Sequence, residues 1–123
     1  ACALIVVSTL AACGGGDAGD RNPRGAIAFN GTSGVGVISV GYTSQAEANS
    51  DASGECGETG CVVVLEFSGD GTCGSFALGS NRIFGVGNGP TKEAADSRAI
   101  QSCLEGGGAN CFIPTWLRSQ QCN

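Results

Sequence analysis

Six of the eight cysteines fall in step across two copies of one unit, and that register constrains the fold more than any other feature. Cys56, Cys61 and Cys73 align with Cys103, Cys111 and Cys122. The residues between them follow: Ser44 lies twelve positions before Cys56, and Thr91 twelve before Cys103. Ala48 and Ala52 match Ala95 and Ala99, while Ile27-Ala28-Phe29 matches Phe76-Ala77-Leu78. Such a period describes architecture before any local element is assigned. Paired cysteines in a small glycine-rich chain also imply an oxidising compartment, where the bridges stand in for a core the chain cannot build.

At 123 residues there is room for one domain. Twenty-two glycines against one tryptophan, one tyrosine and five phenylalanines leave little apolar mass to bury. The formal charge is −5, and the six basic residues (Arg21, Arg24, Arg82, Lys92, Arg98, Arg118) are scattered. No basic stripe exists to neutralise a phosphate backbone, which argues against nucleic-acid binding. Histidine is absent, which removes the commonest general base and the commonest metal ligand together.

The first residues read as an export signal. Ala3 to Ala12 is an apolar run too short to span a bilayer, which takes about 20 residues, and it fits the h-region of a signal peptide over 1–12. Leu10-Ala11-Ala12-Cys13 resembles the bacterial lipobox, in which cleavage falls before a lipid-modified cysteine. Leu10 is too large for an ordinary signal-peptidase site. Losing Cys2 and acylating Cys13 leaves an even six cysteines for the domain. Residues 13–24 then form a lipid-bearing tether, rich in Gly and Asp, with nothing to bury. Gly14 follows the lipid site where enteric lipoproteins held in the inner membrane carry Asp, so the resemblance leans to the periplasmic face of the outer membrane or the cell surface. Cys13 is thus the expected lipidation site and the membrane the expected partner.

The domain proper runs over 25–123, as repeats 25–73 and 74–123. In the first, Ala26–Phe29 and Val35–Tyr42 read as strands joined by a glycine-rich turn. Ser44 opens a helix as N-cap, with Glu47 completing a capping box. Ala48, Ala52 and Cys56 form a narrow small-residue face, and Gly54 and Gly57 weaken and end the helix. Cys61 begins a buried strand. The second repeat gives strands Ser75–Leu78 and Arg82–Gly87, a helix from Thr91, and a last strand Cys111–Leu117 in which Pro114 donates no ladder bond. Two strand-strand-helix-strand units predict an α+β fold: one twisted sheet of about six strands, both helices on one face, pseudo-twofold symmetry and three disulfides.

The cysteine framework with GAIAF…VGYTSQAEAN…GCVVV, and FALG…GVGNGPTKEAADSRAIQSC…CFIP in the second half, resembles the DUF4189 family of exported bacterial proteins. The resemblance covers Gly25 to Asn123. It departs at Val40-Gly41-Tyr42, where the family often has an aromatic earlier in the strand, and at Ala94, which stands where Glu47 does in the first helix. The family implies this fold and export, and carries no established activity.

Disulfides are expected rather than zinc. Four residues separate Cys56 from Cys61 and seven separate Cys103 from Cys111, against the two to four typical of zinc ligands. The symmetric pairing is Cys56–Cys61, Cys103–Cys111 and Cys73–Cys122. Its rival joins equivalent positions, Cys56 to Cys103 and Cys61 to Cys111. Gly85-Val86-Gly87-Asn88-Gly89-Pro90-Thr91-Lys92 lies where a phosphate cradle would, but matches neither a Walker motif nor a dinucleotide fingerprint, and reads as a strand exit. No cofactor is expected.

Acid–base chemistry could come only from carboxylates. Glu47, Asp51 and Glu55 share one helix face and Asp96 lies on the other helix; such acids usually form a solvated face. Tyr42, Phe84, Phe112 and Trp116 are contact candidates for a binding module, with three of the four expected to fill the thin core; Tyr42 and Trp116 are singled out. The expected function is therefore a lipid-anchored, non-enzymatic interaction module, such as an inhibitor or immunity protein meeting a basic envelope protein. A structural or stress-related envelope lipoprotein is the alternative, and a carboxylate-dependent glycan hydrolase a distant one.

Overall fold

The structure is a computed structural model and describes residues 22–57, 59–117 and 120–123. The expected signal segment, the expected lipidation site Cys13 and most of the expected tether lie outside these residues. The elements are β1 (Arg24–Asn30), β2 (Gly36–Tyr42), α1 (Gln45–Cys56), β3 (Cys61–Ser68), β4 (Cys73–Leu78), a 3-10 turn at Ser80–Arg82, β5 (Phe84–Gly89), α2 (Lys92–Glu105) and a second 3-10 turn at Thr115–Leu117. The fold is α+β, with two helices, two small antiparallel sheets and three disulfides.

One sheet has the order β2-β1-β3 and the other pairs β4 with β5. The single six-stranded sheet is therefore replaced by two sheets packed face to face, with a helix on the outside of each. The reason lies in the alternation of the central strands, whose successive side chains point to opposite faces. On β1, Ala26 and Ala28 meet Ala48, Ala52 and Cys56 of α1, while Ile27 and Phe29 point the other way. On β4, Ala77 meets Ala99 and Cys103 of α2, while Phe76 points toward Phe29. Each strand thus has a small face that admits a helix and a large face that needs another sheet.

Between the sheets lies an aromatic core. Phe29 and Phe76 are 4.6 Å apart between ring centroids, Phe84 stacks on Phe76 at 5.2 Å, and Trp116 meets Phe76 at 5.1 Å. Burying a side chain as large as Phe or Ile stabilises a fold by about 1.5–3 kcal/mol, so this small cluster carries most of the hydrophobic driving force. Two glycines make room for one more ring: a Cβ at Gly25 or Gly74 would stand 2.3 or 2.4 Å from the Phe67 ring. Polar clamps close both ends. Arg82 donates from Nη1 to the Gly31 and Thr32 carbonyls, and Asn123 accepts from the Gly41 amide while donating from Nδ2 to the Pro23 carbonyl.

The helices begin as their caps dictate. Ser44 Oγ accepts from the Glu47 amide and Thr91 Oγ1 from the Ala94 amide, each at 3.1 Å. The reciprocal half of the capping box is not made: Glu47 Oε1 instead takes the Thr43 hydroxyl at 2.7 Å. α1 ends at Gly57, whose φ of 71° is the left-handed conformation glycine adopts without strain.

The segment after α2 departs from expectation. No strand forms over Cys111–Leu117; two isolated bridges, Leu78–Phe112 and Cys73–Cys122, flank β4 instead. Phe112 exchanges both backbone bonds with Leu78. Two residues later Pro114 has no N–H to continue the ladder, and its carbonyl accepts from the Leu117 amide to close the 3-10 turn. The bridges follow the symmetric pairing: Cys56–Cys61, Cys73–Cys122 and Cys103–Cys111.

The glycines of β5 alternate onto α2. A Cβ at Gly85 would fall 2.2 Å from the Cys103 amide nitrogen and 2.5 Å from the Ala99 carbonyl oxygen, whereas one at Gly31 would meet nothing within 4 Å. Because the obstruction at Gly85 is helix backbone, relief requires α2 to move. Gly85→Ala is therefore expected to destabilise the fold by about 1–3 kcal/mol or more, and Gly31→Ala to stay within about 0.5 kcal/mol of the parent. Urea unfolding with disulfides intact checks both; equal midpoints for the two variants would contradict this packing.

Candidate functional site

Charge concentrates on α1. Four-residue spacing puts Glu47, Asp51 and Glu55 on one flank of the helix, and α1 carries no basic residue to offset them. The flank faces β2: Asp51 Oδ2 accepts from the Ser39 hydroxyl at 2.6 Å. Tyr42, the last residue of β2, stands beside it. The Tyr42 phenol is pushed above its ordinary pKa, first by its hydrogen bond with Asp51, then by desolvation, then by the charges of Asp51, Glu55 and Glu47. One phenol thus senses all three carboxylates. The opposite flank of α1 is uncharged and turns to β3, where Asn49 Nδ2 donates to Glu66 Oε2 at 2.7 Å.

Asp96 belongs elsewhere. It sits on α2, on the far side of both sheets, where it accepts from the Ser75 hydroxyl at 2.6 Å, from Lys92 Nζ at 2.6 Å and from Gln121 Nε2 at 3.1 Å. Partial burial works to raise its pKa, but the hydrogen bonds from Lys92, Ser75 and Gln121, with the Lys92 charge, prevail and hold the carboxyl below the usual range. The same Gln121 amide donates to the Gly74 carbonyl at 3.0 Å. Asp96 therefore fastens the C-terminal segment to β4 and α2, next to the Cys73–Cys122 bridge. Paired carboxylates of glycoside hydrolases stand about 5–10 Å apart. Here two sheets separate Asp96 from the α1 acids.

The glycine-rich stretch of β5 and the turn into α2 has no open cradle. The space over Gly85, Gly87 and Gly89 is filled by α2 itself, and Lys92 is engaged by Asp96. Among the described residues no group of three His, Cys, Asp or Glu side chains is placed to hold a metal ion, and no helix is long and apolar enough to cross a membrane.

The two aromatic contact candidates part company. Tyr42 is half-buried at the edge of the acidic flank. Trp116 lies against the aromatic core, its ring occupying the space that a Cβ on Gly36 would need, at 2.3 Å. Its indole nitrogen is buried with no hydrogen-bond partner among the described residues. Phe84 and Phe112 remain 39% and 53% exposed. Sequence reasoning missed Ser39 and Gln121 as carboxylate partners and missed Val62, exposed at 58% on β3. The strand at Cys61, expected to be buried, is an edge on which only Phe67 is buried; its unbroken apolar run gives no sign of the exposed Val62, and nothing local marks the other two.

The chain is thus a disulfide-stapled pair of small antiparallel sheets flanked by two helices. The family model described as a domain of unknown function, DUF4189, matches residues 25–117, and the chain belongs to that family. No curated protein and no solved structure matches the chain.

The Asp96 cluster makes a pH-dependent contribution with a definite sign. Its folded pKa is depressed, so the ionised form stabilises the fold above the unfolded carboxylate pKa of about 3.9, and that stability is lost as pH falls through the folded value. Asp96→Asn is expected to cost about 1–3 kcal/mol at neutral pH, with the difference from the parent shrinking on acidification. Urea unfolding across a pH series checks this; parallel stability curves would contradict it.

Proposed function

We propose that the protein is a lipid-anchored component of the bacterial cell envelope that acts without catalysis, as an inhibitor- or immunity-type module binding a basic protein partner. The acidic flank of α1 carries this reading: Glu47, Asp51 and Glu55 converge beside Tyr42 with no basic residue on the helix. An unpaired field of one sign steers an oppositely charged partner and raises its association rate. Tyr42 adds an amphipathic ring of the kind enriched in interface hot spots.

The anchor belongs to the same proposal and rests on Leu10-Ala11-Ala12-Cys13, which would hold the domain at the periplasmic face of the outer membrane or at the cell surface. Three disulfides suit that oxidising location. We also read residues 25–73 and 74–123 as copies of one unit. Support comes from the matched seams Ala48, Ala52, Cys56 and Ala95, Ala99, Cys103, from the local bridge following each helix, and from Gly25 and Gly74 meeting on one phenylalanine.

The test is capture from envelope extract by the lipidated protein, followed by binding kinetics on the purified pair. A basic protein is expected to co-purify, to bind more weakly as salt rises, and to associate about tenfold more slowly or worse when Glu47, Asp51 and Glu55 become Gln, Asn and Gln. Labelled palmitate should enter the parent but not Cys13→Ser. Glycan cleavage by the purified domain that disappears in Glu47→Gln or Asp96→Asn would overturn the reading.

A further inference from the structure

The acidic flank lies along β2, and the opposite edge of the same sheet, β3, is unlike it in every respect. Among the described residues, β3 has β1 on one side only. Alternate residues of this eight-residue strand therefore turn their N–H and C=O groups to the open side. A groove of ≈ 440 Å³ lined by Val63, Val64, Leu65 and Glu66 lies against the strand. The usual devices that keep such an edge from pairing are proline, lysine, a bulge or a covering loop. β3 contains neither proline nor lysine, and its register shift against Ile27 and Ala28 leaves Val64 as the extra residue. Val62 on this strand is 58% exposed, and it pairs with the buried Phe29, whose ring meets the 39% exposed Phe84 at 5.4 Å.

We propose that β3 is a self-association edge, pairing antiparallel with β3 of a second copy of this chain. Two features select a second copy as the occupant. The first is self-complementarity. A twofold axis at Val63 sets Val63 against Val63, Val62 against Val64 and Cys61 against Leu65, while Glu66 falls opposite Gly60 and not against another carboxylate. The second is charge. The chain is net negative, yet Glu47, Asp51 and Glu55 face the β2 side, so β3 is the edge at which two copies meet without opposing those acids. The product is one continuous six-stranded sheet, β2-β1-β3-β3-β1-β2, with closed point symmetry. Both acidic flanks stay outermost, available to a basic partner.

Sedimentation velocity over a wide dilution range, with hydrogen exchange on the same samples, tests this. The parent should sediment as a concentration-dependent dimer, with slowed exchange of β3 amides that is lost on dilution. Val62→Lys, at an exposed position, should raise the dissociation constant at least tenfold and, at dilutions where the parent too is monomeric, leave the melting curve unchanged; Val35→Lys, also exposed but outside β3, should leave the dimer intact. A parent that is monomeric throughout overturns the proposal. So does a dimer whose β3 amides exchange equally at all concentrations, a result that needs no variant to fold. Neither outcome bears on the acidic flank, which lies on the other edge.

Discussion

Both helices of this domain lie on their sheets with little more than methyl groups, disulfide sulfurs and bare backbone between them. Ala26 and Ala28 receive α1, and Ala77 with Gly85, Gly87 and Gly89 receives α2. Seams this thin bury little apolar area of their own, so they stabilise weakly per residue. Their consequence is positional. With small side chains spent on the outer faces, all the large ones on β1 and β4 turn inward, and two half-sheets share a core that neither could fill alone. Five phenylalanines and a tryptophan are too few to serve two separate cores.

The disulfides work on the same problem from the unfolded side. Chain-entropy reasoning assigns about 4 kcal/mol to a loop the length of that closed by Cys73 and Cys122, and about 2 kcal/mol to the short Cys56–Cys61 loop. The long bridge also holds the C-terminal segment against β4, where Pro114 and a 3-10 turn have cut the strand short. Asp96 reinforces that attachment through Gln121. Its chemistry is spent on structure. The α1 carboxylates, by contrast, have hydroxyl partners in Ser39 and Thr43 and no ion pair among the described residues.

Much of this was legible in the sequence. The helices, their caps at Ser44 and Thr91 and the Ala-Ala-Cys seams follow from local chemistry and the internal period, and the structure agrees with each; of the two disulfide pairings the sequence left open, the structure has the symmetric one. The layer order was not legible. Alternation on β1 and β4 shows that each strand has a small and a large face, but which face meets a helix and which meets a sheet depends on tertiary packing. The last strand failed because one residue, Pro114, ended pairing more abruptly than an edge assignment allows. Trp116 was hidden for a related reason: the space that admits it is made by Gly36, eighty positions earlier. The acidic flank was visible as a spacing, and only the structure sets it beside β2 and Tyr42.

The central claim is that the two sheets form one cooperative unit around the Phe29–Phe76 contact. Native-state hydrogen exchange with the disulfides intact measures this directly. The amides of β1 and β4 are expected to exchange only through global opening, with one common free energy and one common denaturant dependence. Two distinct values, one for β1 with α1 and a lower or higher one for β4 with α2, would mean that each half-sheet opens alone, and would contradict the account.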